Sequence, residues 1–569
     1  MRYLSLASDY DGTLARDGVV DAETVRALER LRHSGRKLIL VTGRELPDLQ
    51  SVFSRLDLFE RVVAENGALL YDPATHEKRT LAQKPPDDFI ESLRKRGVSN
   101  MSVGEVIVAT WHPHEQEVLN AIREFGLELQ VIFNKDAVMI LPSGVNKMTG
   151  LSAALEELKL SRHNVVGVGD AENDHAFLSC CEFGVAVANA IPALKERADF
   201  VTERDHGAGV IELVEKLLKN DLADLDSKLA HYGISLGSAN GEEIMLNPRG
   251  NCLLICGESG GGKSTFVAGF LERLIQKDYQ TCLVDPEGDY QDLRGWVGTG
   301  DETHAPSFDR VVQLLDNPDA QVMVNLVGVP MTDRAGFFAS LLTLIQDRRL
   351  RQGRPHWLIV DEAHHMLPSE WAPAQPELAG ELGNALLVTV HPEHVSAATL
   401  KMVKMILVVG RDPHRAIEEF ARITGTALPE IPSEHLRPGE AILWLRDSNR
   451  LIPKIKTEPP RVARNRHKRK YAEGELEKER VFYFRGPEDK LNLRAQNLAT
   501  FLQIADGIDD ETWLFHLKRA DYSNWLRSAV KDTPLAEEIH AVEQEKRFSA
   551  VESRQRIKKL IEEKYTAPA

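Results

Sequence analysis

Short apolar runs recur along the chain, and each ends on a residue able to do chemistry. Residues 3–8, 37–41 and 164–168 read as buried strands that stop at Asp9, Thr42 and Gly169-Asp170. Residues 251–256 and 357–360 do the same at Gly257 and Asp361. Helical stretches at 149–158 and 266–275 follow Lys147 and the glycine-rich run after Gly257. Strands alternating with helices predict parallel sheets, whose ligands gather at the carboxyl ends of the strands. The pattern then changes. Residues 220–231 are polar and predicted helical, a bridge between two α/β units, and 481–569 are predicted mostly helical. Trp513, Phe515, Leu517, Trp525 and Leu526 supply that last segment with a small core, and 537–565 alternates charges as an exposed helix would. No internal repeat is visible.

Composition narrows the class. A chain of 569 residues is too long for one core and implies three or four domains. Its 43% hydrophobic and 27% charged residues are those of a soluble globular protein, and the net charge of −16 argues against wholesale coating of nucleic acid. No apolar run approaches the roughly 20 residues a bilayer requires, and the first residues are too short an apolar stretch for a signal peptide. Five cysteines form neither a disulfide framework nor a zinc spacing. They read as reduced core thiols of a cytoplasmic protein.

Asp9-Tyr10-Asp11-Gly12-Thr13 is the first candidate site. Asp9 and Asp11 point to the same side of an extended chain, and two such carboxylates repel unless a cation or proton lies between them. They therefore suit Mg²⁺ and acid/base work. Alone, the motif also suits a turn with capping carboxylates. Thr42-Gly43 can bind a phosphate oxygen through hydroxyl and free amides, and Lys147 can neutralise a transferring phosphoryl group. Asp170 and Asp174, four apart, share one face if the turn between them is helical.

These four segments, in this order, resemble the haloacid dehalogenase (HAD) superfamily over about the first 215 residues. The resemblance implies that Asp9 is the nucleophile forming an aspartyl-phosphate and Asp11 the general acid/base. It implies that Thr42 and Lys147 bind the phosphoryl group. Asp170 would complete a Mg²⁺ site with Asp9 and the Asp11 carbonyl, supported by Asn173 and Asp174. Glu65-Asn66-Gly67-Ala68 resembles the sugar-phosphatase branch (type IIB), whose small α/β cap would be formed by about residues 81–141. His112 and His114 read as solvated loop histidines.

The second site is Gly257-Glu258-Ser259-Gly260-Gly261-Gly262-Lys263-Ser264-Thr265. Glycines let backbone amides cradle phosphates of ATP, Lys263 reaches the terminal phosphates, and Ser264 ligates Mg²⁺. Asp361 would hold Mg²⁺ through water, and Glu362 could activate the attacking water, which favours hydrolysis over phosphoryl transfer to a metabolite. Residues 282–290, Asp361-Glu362-Ala363-His364 and 386–392 are similar to the HerA-like branch of DNA-translocating ATPases, over about 230–455. So are Ile234-Ser235-Leu236-Gly237 and Pro248-Arg249-Gly250. His391 stands where that branch carries a glutamine, which questions motor-grade hydrolysis. Arg411 could act in trans across a ring or form a surface ion pair.

The expectation is an α/β protein of four parts. A HAD Rossmann-like phosphatase domain at 1–220 carries the cap, and an α/β P-loop ATPase domain spans 230–456. A basic linker at 457–480 leads to a small helical C-terminal domain at 481–569. The linker's run at 461–470 suits nucleic acid, an acidic partner or plain solvation. The expected activity is Mg²⁺-dependent hydrolysis of a small phosphorylated metabolite, a sugar phosphate first, beside an ATP-binding and ATP-hydrolysing domain. The alternatives are a nucleic-acid machine trimming phosphate ends and a nucleotide-gated regulatory phosphatase. Small phosphorylated substrate, ATP, possible nucleic acid and a possible homo-oligomer are the partners expected, with no membrane.

Overall fold

The computed structural model describes residues 1–134, 136–228, 233–247, 250–258, 260–291, 293–370, 382–410, 412–431, 436–461, 481–530, 533–545 and 547–565. Pro248, Arg249, Ser259, Arg411 and all of 461–470 except Arg461 lie outside the described residues or within their gaps. The α/β class expected from the alternation is what the chain forms. Residues 1–288 and 293–460 make one compact unit, and 461–569 with 289–292 make a second. No helix among the described residues is long and apolar enough to cross a membrane.

The first sheet has eight strands in the order Phe200–Val201, Phe183–Ala186, Val165–Gly169, Ser5–Ser8, Lys37–Val41, Arg61–Ala64, Leu69–Tyr71 and Lys78–Thr80. Strands from Phe200 to Ala64 run parallel, and the last two are antiparallel. Val165–Gly169 is buried throughout and Lys37–Val41 everywhere but its first residue. This is the both-faces burial that makes parallel strands read as continuous apolar runs. Between the motif segments, Ser102–Val103, Val108–Trp111, Ala137–Pro142 and Leu129–Asn134 form a separate four-stranded antiparallel sheet. Helices Asp87–Lys95 and Glu115–Phe125 cover it through Phe89, Ile90, Leu93 and Val118.

The second large sheet has eleven strands. Seven run parallel in the order Met405–Val409, Cys252–Cys256, Ala385–Thr389, Trp357–Val360, Thr281–Asp285, Gln321–Asn325 and Trp296–Thr299. Antiparallel strands Glu440–Leu445, Arg450–Lys456, Ile234–Ala239 and Glu242–Leu246 extend one edge. The two large sheets meet along a seam within the same unit. His163 stacks on Tyr279 with ring centroids 3.9 Å apart, and its Nε2 lies 2.7 Å from the Lys277 carbonyl. Arg354 donates to the Lys159 carbonyl at 2.8 Å, and Arg162 pairs with Asp278.

Three local expectations change. Residues 223–228 form a 3₁₀ turn (Ala223–Lys228), and 229–232 lie outside the described residues. The C-terminal unit opens with a hairpin, Phe482–Phe484 and Leu493–Ala495, before its helices. The 537–565 stretch is two helices, Thr533–Gln544 and Ala550–Tyr565, rather than one exposed helix. Leu535, Ile539, Ile557 and Ile561 are buried with Trp513, Tyr522 and Phe501, a three-to-four spacing that dense charge conceals in sequence.

One glycine joins fold to site. Gly67 has φ +104°, and a Cβ there would lie 1.9 Å from the carbonyl oxygen of Asn146, the N-cap of the Lys147 helix. Gly67→Ala is therefore expected to cost on the order of 2–4 kcal/mol, read as a lower urea midpoint with unchanged slope.

Candidate functional site

Ser5–Ser8 and Val165–Gly169 are hydrogen-bonded neighbours in register, so the residues that follow them emerge side by side. Asp9, Asp170 and Asp174 each place a carboxylate oxygen within 4.8 Å of the others. Lys147, the first residue of helix Lys147–Glu157, sends its ammonium between them. Nζ donates to Asp9 Oδ1 and to Asp174 Oδ1, both at 2.6 Å. The remaining oxygen of Asp174 accepts the amides of Asp170 (2.8 Å) and Ala171 (2.9 Å). Thr13 donates its hydroxyl to Asp170 Oδ1 at 3.1 Å.

Asp9 is 4% exposed and Lys147 1%. Burial pushes the Asp9 carboxyl well above its ordinary value; the Lys147 charge opposes that, and Asp174 and Asp170 add to it. Burial alone would lower Lys147, but the charges of Asp174 and Asp9 outweigh it and hold the lysine above its ordinary range. Three buried carboxylates beside one ammonium are hard oxygen donors suited to a small divalent cation. Both oxygens of Asp174 already accept hydrogen bonds.

Asp11 lies beside this cluster and is gripped by Arg44. Nε and Nη2 donate to its two oxygens at 2.6 and 2.7 Å, while Nη1 reaches Asp48 at 2.6 Å. Thr42 is fully buried; its hydroxyl accepts the Arg44 amide at 3.1 Å, which orders the turn carrying the arginine. A cavity of about 510 Å³ opens above, lined from below by Asp9, Asp11, Arg44, Glu45 and Lys147 and from the small sheet by Ala109, Trp111 and Met139. Glu65, 0% exposed, ties that small sheet down. Its carboxylate accepts the amides of Glu105, Val106 and Ile107 at 2.8–2.9 Å. Asn66 Oδ1 accepts Asn173 Nδ2 at 2.9 Å. Arg44, Glu45 and Glu65 received no role from the sequence, although Arg44 directly follows Thr42-Gly43 and Glu65 opens Glu65-Asn66-Gly67-Ala68. His112 is 67% exposed and pairs with Glu115, and His114 bonds Ser99.

The second site sits at the carboxyl end of Cys252–Cys256. Gly257 has φ +141°, and a Cβ would lie 1.9 Å from the Val409 carbonyl oxygen, so only glycine lets the loop leave the strand here. Gly260 and Gly262 also have positive φ. Lys263 Nζ donates to the Gly257 and Glu258 carbonyls at 2.7 and 3.0 Å. Ser264 is partly buried and Thr265 exposed on the first turn of helix Lys263–Gln276. Asp361, 2% exposed, accepts the Glu362 amide at 3.0 Å, and Glu362 takes a left-handed φ of +44°. His364 lies 3.1 Å from the Thr389 hydroxyl, and burial lowers its pKa to about 4. His391 instead turns to Glu393, at 3.2 Å. All five cysteines are buried, and none is joined in a disulfide.

Without Lys147 the three carboxylates would face one another uncompensated. Lys147→Met is expected to lose about 3–5 kcal/mol in chelator and to regain part of it with excess Mg²⁺. The sign with pH follows from Asp9. A carboxyl whose folded pKa is raised holds its proton more tightly when folded, so its ionisation costs stability as pH climbs above the ordinary value of 3.8. Removing Lys147, the charge that opposes this rise, lifts the Asp9 carboxyl further, so the deficit of Lys147→Met, measured by urea unfolding, should widen from acid towards neutral pH.

The haloacid dehalogenase-like hydrolase family matches residues 6–136 and 99–214, and the central domain of helicase HerA matches residues 250–351. A phosphoglycolate phosphatase of Methanothermobacter thermautotrophicus is 32% identical over 222 residues, covering 38% of this chain and 98% of the relative. Phosphoglycolate phosphatase 2 of Saccharolobus solfataricus is 30% identical over 221 residues, covering 38% and 93%. A solved structure from Thermoplasma acidophilum aligns with TM-score 0.34 and 18% identity, over 38% of this chain and 99% of its own. The chain belongs to the haloacid dehalogenase-like hydrolases, with a domain of the HerA central type following the hydrolase domain.

Proposed function

We propose that the first domain is a Mg²⁺-dependent phosphatase of a small phosphorylated metabolite and that the second binds and hydrolyses ATP. The observation that carries the reading is the Asp9–Lys147–Asp174 contact beside Asp170, buried beneath a capped cavity. Asp9 attacks phosphorus, the ester P–O bond breaks, and Asp11 gives the leaving oxygen its proton. Water then attacks the aspartyl-phosphate, with Asp11 taking the proton back, and releases inorganic phosphate. Lys147 and Thr42 bind the phosphoryl oxygens. Asp9, Asp170 and the Asp11 carbonyl would hold Mg²⁺, whose charge offsets that of the phosphoryl group. Asp174 would act on that site mainly by orienting Lys147. A cavity of about 510 Å³ under a tethered cap favours a metabolite over a polymer end.

In the second domain, the amides from Gly257 to Gly262, with Lys263, Ser264 and Thr265, would take the phosphates of ATP. Asp361 would hold Mg²⁺ through water, and Glu362 would orient the attacking water. A gating reading has support of its own. The helix that begins at Lys263 ends at Gln276, next to the Lys277 carbonyl that meets His163. His163 lies just ahead of the strand Val165–Gly169 that delivers Asp170.

The test is phosphate release from p-nitrophenyl phosphate, phosphoglycolate and a panel of sugar phosphates, with and without ATP. Phosphoglycolate belongs there because relatives are named for it. Asp9→Asn should lower release from every phosphoester by ~10³-fold or more while ATP turnover persists. Lys263→Ala should abolish ATP turnover and leave ester hydrolysis. Ester hydrolysis that survives Asp9→Asn would sink the mechanism; a rate indifferent to ATP would sink the gating.

A further inference from the structure

The cavity's lining includes a carboxylate with an unusual position. Glu45 is the N-cap residue of helix Leu46–Val52, where an acidic side chain ordinarily accepts a helix amide, yet it makes no such bond. It turns into the cavity instead and accepts the hydroxyl of Ser102 on the small sheet. Burial raises its pKa, the Ser102 hydrogen bond opposes that rise, and the charges of Glu65 and Asp48 add to it. Both cations lining the cavity among the described residues are already committed, Arg44 to Asp11 and Asp48, Lys147 to Asp9 and Asp174. From the small sheet come Ala109 opposite Met139 and Trp111 opposite Ala137, an uncharged face ending in a tryptophan that is 45% exposed.

We propose that Glu45, with Ser102 and Trp111, selects a leaving group that donates hydrogen bonds and carries no negative charge. This rests on the phosphatase reading above. A terminal hydroxyl would donate to Glu45 while the carbon skeleton lies on Trp111. A terminal carboxylate would meet Glu45 with no free cation to pair with, and like charges this close in a desolvated cavity disfavour binding by about 10-fold or more. Phosphoglycolate is thus a poor substrate for this chain, and phosphomonoesters of polyols are good ones.

The experiment uses a matched pair, phosphoglycolate and hydroxyethyl phosphate, which differ only by carboxylate against hydroxymethyl. The full-length protein is assayed for kcat/KM on both, near neutral pH with Mg²⁺. Wild type should prefer hydroxyethyl phosphate by at least ~10-fold, carried mainly by KM. Glu45→Gln should narrow the ratio, and Glu45→Lys should reverse it. Because each ratio is taken within one protein, an unstable variant does not blur it, and wild type alone can decide. Equal rates, or a preference for phosphoglycolate, would overturn the selection. A ratio unchanged by Glu45→Gln would take the role from Glu45. Hydrolysis of neither ester, together with no Asp9-dependent turnover of p-nitrophenyl phosphate, would be a failure of the phosphatase reading itself.

Discussion

Everything in the first site is arranged around one buried ammonium. Three carboxylates within 4.8 Å of one another could not stay ionised in a protein interior without compensation, and Lys147 supplies it. The lysine is delivered by a helix whose start is secured twice. Asn146 and Thr149 form a reciprocal capping box, and the Asn146 carbonyl packs on Gly67. A cluster so balanced has more negative than positive charge, which is the electrostatic condition for holding a divalent cation with a phosphoryl group.

Around that centre, two other carboxylates do mechanical work. Asp11 is fixed by both arms of Arg44, so its orientation depends on the turn after Lys37–Val41. Glu65 accepts three successive amides at the turn of the small sheet, a charge-assisted bundle that works beside a buried apolar cluster of Ala68, Val106, Ile107, Met139, Leu141 and Val145. This architecture lets a cavity form between two separately folded cores.

The two large sheets are joined by a seam in which aromatic stacking and backbone acceptors carry the contact. His163, Tyr279 and His356 pack ring against ring, and the Lys159 and Lys277 carbonyls take their hydrogen bonds from the other side. Carbonyl acceptors make such a contact sensitive to the position of whole elements. The helix Lys263–Gln276 and the strand Val165–Gly169 both approach this seam.

Much was legible from the chain alone. The apolar runs mark the central strands because parallel strands are buried on both faces, and the residues just beyond them are the chemical ones because only strand ends open to ligand. Asp9, Thr42, Lys147, Asp170, Gly257, Lys263 and Asp361 could be singled out on that basis. Partnerships across sequence distance could not. Nothing local pairs Lys147 with Asp9, 138 residues away, or turns Arg44 onto Asp11. The same holds for Glu45, an N-cap residue that bonds Ser102 instead of its own helix, and for Ile557 and Ile561, hidden among charges yet buried in the C-terminal core. Local spacing determines which side chains reach a strand end or a helix face. Which charges then face one another is decided by packing, because the cost of an unpaired buried charge is felt only once the chain has closed around it.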